Sequence, residues 1–90
     1  NVPLQPALLQ NYPNPFNPTT NFEFRIGDFE FVSLKIFDVL GREAVTLVND
    51  GRLAGTYTIR WDASSLTSGI YFYQLRAGSF VDTKKLLFLK

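Results

Sequence analysis

The sequence contains no cysteine and no histidine in 90 residues. Without cysteine there is no disulfide, thiolate nucleophile or thiolate metal ligand. Without histidine there is no imidazole ligand and no Ser/His/Asp triad, so most small-site enzymology is excluded. An excess of one charge is also missing. Nine basic residues against eight acidic ones leave a net charge of +1, which gives no electrostatic footprint for wrapping a nucleic acid. No run reaches the ~18 apolar residues that a membrane-spanning helix needs, and no basic segment followed by an apolar stretch marks a secretory leader. Direct membrane insertion is therefore not expected. The chain opens Asn1-Val2-Pro3 without an initiator methionine and reads as a piece of something longer.

What is present is apolar and aromatic. Hydrophobic residues make up 46% of the chain, with nine Phe, four Tyr and one Trp, enough for one compact core and too little length for two. A domain this small buries roughly 60 to 70% of the surface its unfolded chain exposes, so large rings must dominate the interior. All five prolines, Pro3, Pro6, Pro13, Pro15 and Pro18, fall in the first 18 residues, where each removes an amide donor and extends the residue before it. No central strand is expected there. Residues 1 to 10 read as a linker or arm. Asn11 to Pro18 reads as a stiff strap whose Tyr12 and Phe16 dock on the core, and residues 11 to 90 form the domain.

From residue 20 the pattern has period two, the mark of strands with one buried face. Phe22, Phe24 and Ile26 alternate with polar residues over 20–26. Val32, Leu34 and Ile36 share one face of 30–38, with Phe31 and Phe37 on a partly apolar opposite face. Asp38 to Arg42 has the composition of a hairpin loop, and a strand over 43–48 follows. Asn49-Asp50-Gly51 and Ala54-Gly55 bracket a longer loop. Tyr57, Ile59 and Trp61 define a strand over 56–62, and Asp62 to Gly69 forms a short capped crossover. A central strand over 70–75, a Gly78 turn of type II′ and a last strand over 80–89 complete the chain. The expected fold is all-β, an immunoglobulin-like β-sandwich of six or seven antiparallel strands with minimal helix.

Four groups of residues invite a functional reading. Gly69-Ile70-Tyr71 has tyrosine-corner spacing, in which a buried Tyr71 returns its hydroxyl to backbone near the preceding turn; this structural role outweighs a catalytic one. Trp61, Tyr57 and Tyr71 could stack sugars, but their spacing favours the interior. Asp28, Asp38, Asp50, Asp62 and Asp82 sit at loops and strand ends, where turn capping outweighs calcium ligation because no dense Asp-x-Asp-x-Asp loop is formed. Lys84, Lys85 and Lys90 flank the last apolar strand. They either guard an edge against unwanted pairing or set register for a receptor that adds a strand to it. No catalytic residue and no cofactor is assigned.

Several stretches in order resemble one family. They are Leu9-Gln10-Asn11-Tyr12-Pro13-Asn14-Pro15-Phe16-Asn17-Pro18-Thr19-Thr20, Val32 to Glu43 with its Asp38-Val39-Leu40-Gly41-Arg42 loop, Ala54-Gly55-Thr56-Tyr57, Trp61-Asp62, Ser68 to Leu75, and Lys84 to Lys90. The set is similar to the type A C-terminal sorting domain of proteins exported by the type IX (Por) secretion system. It also shares its Asp-x-x-Gly-Arg hairpin with the immunoglobulin-like domain of flagellar hook-capping proteins. The resemblance implies a secretion address behind an unrelated N-terminal cargo domain. That cargo would reach the periplasm by its own leader, be recognised by the outer-membrane translocon, and finish secreted or on the cell surface. In many such proteins a sortase-like surface protease removes the domain, here in or before residues 1 to 10, and joins the cargo to a lipopolysaccharide anchor. By the family pattern, the recognition residues are Pro13, Asn14 and Pro15, then Gly69 and Tyr71, then Lys84, Lys85 and Lys90. A carbohydrate-binding or adhesion module using Phe31, Phe37 or Tyr73 is the rival reading.

Overall fold

Alternation of large apolar and polar side chains becomes strand structure wherever prolines stop. The computed structural model describes residues 5–90, and among them seven strands and no helix are found. They are β1 (Ala7–Leu8), β2 (Thr19–Ile26), β3 (Glu30–Phe37), β4 (Glu43–Arg52), β5 (Gly55–Asp62), β6 (Gly69–Ala77) and β7 (Phe80–Phe88). A three-stranded sheet in the order β1-β2-β5 faces a four-stranded sheet in the order β4-β3-β6-β7. Every pairing between strands is antiparallel. In immunoglobulin lettering this is an ABE sheet over a C′CFG sheet, so the sandwich expected from the sequence is the architecture observed.

The core follows the period-two reading. Phe22, Phe24 and Ile26 of β2 face Val32, Leu34 and Ile36 of β3 and Tyr73 and Leu75 of β6, all fully buried. Trp61 is 8% exposed and lies 6.0 Å from the rings of both Phe16 and Phe22, and Phe22 meets Tyr73 edge-on at 4.7 Å. Aromatic pairs at such distances add to the area they bury, which suits a domain with few other means of stabilisation.

Two tight turns use the residues the sequence offers. The Asp38 carboxylate accepts from the amides of Leu40 and Arg42, both at 2.9 Å, and from Arg42 Nε at 2.8 Å. These bonds, the Arg42 amide foremost, hold its carboxyl below the usual range. Gly78 has φ +59 and is the first of two residues between the paired Ala77 and Phe80. No non-glycine among the described residues has positive φ, so Ser79 stays on the negative side and the turn is the expected type II′.

Two boundaries differ from the sequence reading. The loop expected from Asn49 shrinks to Leu53 and Ala54, because β4 continues through Asn49-Asp50-Gly51-Arg52 against β3. Gly51 serves packing there: Phe29 lies over it so closely that an added Cβ would stand 2.8 Å from the ring. Arg52 completes the strand by pairing with Asp50 at 2.9 Å and lying 5.0 Å from the Tyr57 ring centroid. At the other boundary, the arm assigned to residues 1 to 10 contributes β1. Ala7 and Leu8 pair with Arg25 and Phe24, and Leu8 is buried. Residues 1–4 of that arm, Pro3 included, lie outside the described residues.

A buried hydroxyl ties the strap to the four-stranded sheet. Tyr73, fully buried on β6, accepts a bond from the Asn11 amide and donates one to the Leu9 carbonyl, both at 2.8 Å. Burial pushes its phenol up to about 12 from 10.0, the Asn11 amide acting in the opposite direction. Tyr73→Phe would leave two strap groups without partners, and unfolding in urea should show a loss of about 1 to 3 kcal/mol at neutral pH. The raised pKa sets the sign at high pH: the contribution of Tyr73 is intact below about 10 and declines as pH rises toward about 12. The stability difference between wild type and Tyr73→Phe should therefore narrow across that window.

Candidate functional site

Strand β7 is an edge strand, paired with β6 on one side only. Leu86 and Phe88 point into the core and are fully buried, whereas Lys85 and Leu89 are exposed on the opposite face. By the same alternation Lys84 lies on the inner side, at the rim, 3.9 Å from Asp82, so the paired lysines serve opposite faces. Lys90 ends the chain with its amide donating to Ser68 Oγ at 2.9 Å and its ammonium 6.0 Å from the Phe88 ring centroid.

On the β6 side, Gly69 pairs with Phe88 and Tyr71 with Leu86. Tyr71 makes the expected corner, its buried hydroxyl donating to the Thr67 carbonyl at 2.7 Å. Gly69 has φ +152 with nothing within 4 Å of an added Cβ, so backbone conformation and not crowding calls for glycine at this position.

On the free side, the strap has folded over the strand. The Phe16 amide donates to the Leu87 carbonyl at 3.1 Å, the Leu89 amide donates to the Phe16 carbonyl at 3.0 Å, and Phe16 and Phe88 form a parallel bridge. The Leu87 amide donates to Asn14 Oδ1 at 2.9 Å, and Gln10 Nε2 donates to the Lys85 carbonyl at 2.9 Å. Phe16, 3% exposed, stacks on Phe88 at 5.2 Å. Asn11 braces the base of the strap, donating to Thr20 Oγ1 at 3.1 Å and the Pro13 carbonyl at 3.2 Å. A shallow groove of about 300 Å³ lies between Pro13, Pro15, Phe16 and Asn17 of the strap and Leu89 and Lys90 of the terminus.

Six of the eight residues singled out in the sequence thus gather around the end of β7: Pro13, Asn14 and Pro15 on one side, Gly69 and Tyr71 on the other, and Lys90 at the tip. Lys84 and Lys85 lie further back along the strand. Gln10, Ser68 and Tyr73 were missed as holding groups. Nothing local marks Gln10 or Ser68, because each bonds to a residue more than twenty positions away.

Three expectations need correction. The outer edge of β7 is not open over Lys85 to Leu89, since the strap occupies it. Tyr73 is buried and offers no ring to a glycan, whereas Phe31, 61% exposed, does. Of the two strap aromatics expected to dock, Phe16 does and Tyr12 does not, being 79% exposed. The core reading of Trp61 holds, and Tyr57 is half-buried, stacked on Phe24 at 5.3 Å. Asp28 and Asp62 cap turns as expected, accepting the Phe29 and Ser64 amides, whereas Asp50 and Asp82 lie within β4 and β7, where Asp82 accepts the amide of its strand neighbour Thr83.

A family model described as a secretion system C-terminal sorting domain matches residues 10–89, from the strap to the end of β7. The chain belongs to this family. A comparison with curated proteins returned no match. The sorting domain is a type IX secretion signal, so membership implies an attached cargo, contact with the secretion machinery, and export from the cell to the medium or the cell surface. The matched span takes in Gln10, the strap, the Gly69–Tyr71 corner and all of β7.

In this sorting domain the Phe16 ring sits between Phe88 and Trp61, at 5.2 and 6.0 Å. Phe16→Ala should cost about 3 to 5 kcal/mol in urea unfolding and red-shift the fluorescence of Trp61, the single tryptophan.

Proposed function

We infer that this domain is a non-catalytic address whose legible part is the end of β7, held in shape by its two flanks. The observation that carries the reading is convergence: the strap, the Gly69–Tyr71 corner and the terminal lysine are far apart in sequence and meet on one strand end. Folding assembles the signal, and a receptor that reads the assembly rejects an unfolded cargo carrier. Pro13, Asn14, Pro15, Gly69 and Tyr71 shape and hold the site; Lys84, Lys85 and Lys90 supply the charge a partner meets.

In this reading the partner is the outer-membrane translocon of the type IX system, reached from the periplasm after the cargo's own leader has acted. A sortase-like surface protease then separates cargo from domain within or before residues 1 to 10 and attaches an anchor to the cargo. The domain itself contributes recognition only.

The test is export of a reporter fused ahead of residues 1–90, behind a signal peptide, in a type IX-competent host. Deleting Lys84 to Lys90 should strand the reporter in the periplasm. That deletion also removes buried Leu86 and Phe88, so a second variant separates signal from stability. Lys85→Glu with Lys90→Glu changes two exposed side chains, and should keep the wild-type circular dichroism and melting while the reporter accumulates in the periplasm. Unchanged export by the double variant would reject the role given to the lysines.

A further inference from the structure

Resting on the sorting reading above, we propose that the outer edge of β7 is a strand-docking surface which the strap masks, and that an extended segment of the export machinery, running parallel to β7, takes the strap's place.

The bonding of this edge points to a substitute and not to a permanent neighbour. An edge strand presents a row of amides and carbonyls that a regular strand would meet from its own backbone. Here the row is met piecemeal. The Asn14 side chain takes the Leu87 amide, the Gln10 side chain serves the Lys85 carbonyl, and only Phe16 contributes backbone, to Leu87 and Leu89. Further back, the Thr83 amide turns to the carboxylate of its own neighbour Asp82. An incoming strand could supply every one of these groups with a main-chain partner and continue along Val81 and Thr83, beyond the strap's reach.

The strap is also built to lift locally. Tyr12 is tied to Asn21 by a pair of backbone bonds at 3.0 and 2.9 Å, and the Pro18 carbonyl accepts the Ala63 amide at 2.9 Å. Between these fixed points the arch Pro13–Asn17 bonds to β7 through Asn14 and Phe16 alone. The Asn14 contact is solvent-exposed, whereas the Tyr73 and Asn11 bonds at the base are buried. The arch can therefore leave the edge while its base stays seated. Lifting vacates the place of the Phe16 ring between Phe88 and Trp61, so the arriving segment carries a large apolar side chain at that position. The Phe16–Phe88 bridge is parallel, which sets the direction of the segment.

Masking and recognition are separated by two substitutions. Asn14→Ala removes one exposed bond and should speed hydrogen exchange of the Leu87 amide about three- to tenfold, leaving the Leu86 amide, directed at β6, unchanged. Val81→Pro removes an amide that faces outward and bonds no other strand, so the fold should persist by circular dichroism while export falls. Unchanged exchange at Leu87 in Asn14→Ala would show that the strap does not guard the edge. Full export by Val81→Pro would reject strand pairing; either result overturns the proposal. A wild-type fusion retained in the periplasm overturns the sorting reading instead, and leaves masking to be decided by the exchange measurement.

Discussion

An edge strand must satisfy its outward-facing backbone, and in this molecule the last strand does so with residues from the beginning of the same domain. That closure depends on Tyr73. Its hydroxyl, carried across the core from the four-stranded sheet, receives the Asn11 amide and reaches the Leu9 carbonyl, and so seats the base of the strap. From there Asn14 and Phe16 lie where β7 needs partners. Remove the hydroxyl, and the strap loses its polar anchor to the four-stranded sheet inside the sandwich, keeping the Asn11–Thr20 bond to β2. A buried hydroxyl with both its bonds made is stabilising, whereas the same strap groups left unpaired would be costly.

Proline makes this arrangement specific. A regular strand beside β7 would itself present a new edge and only move the problem outward. Pro13, Pro15 and Pro18 cannot extend a ladder, so the strap ends the sheet on that side. Two of the three remaining edges are handled by other means: β1 is two residues long, and the β3–β4 pairing is irregular at two places, Leu34/Lys35 and Ile36/Phe37. Protected edges keep such a domain from indiscriminate strand pairing.

Much of the fold could be read along the chain because its causes are local. Strict alternation in Thr20–Ile26, Val32–Ile36 and Tyr57–Trp61 gives strands and tells which side is buried. Gly78 and the Asp38–Arg42 loop announce their turns by backbone needs that few residues meet. The reading failed where a tertiary contact overrode a local preference. Asn49-Asp50-Gly51 has turn composition, yet Phe29 packs on Gly51 and β3 offers bonds, so it stays in a strand. Tyr73 and Tyr12 escape the reading for a related reason: Tyr73 stands in the run Ile70 to Tyr73, where both strand faces carry large apolar side chains, and nothing beside Tyr12 in the sequence says whether its ring turns inward.

The functional surface divides in the same way. The sequence by itself determined the strand pattern, the aromatic core, the proline-rich strap and the family whose motifs these residues compose, since each depends on residue type and spacing along a short stretch. Only the tertiary structure decided that those motifs share one place, that Gln10 and Asn14 cap the backbone of residues more than seventy positions away, and that the terminal edge is covered. Those facts rest on how two sheets stack and where a strap lands, and such long-range geometry is set by the packing of the whole core, with no counterpart in any local run of residues.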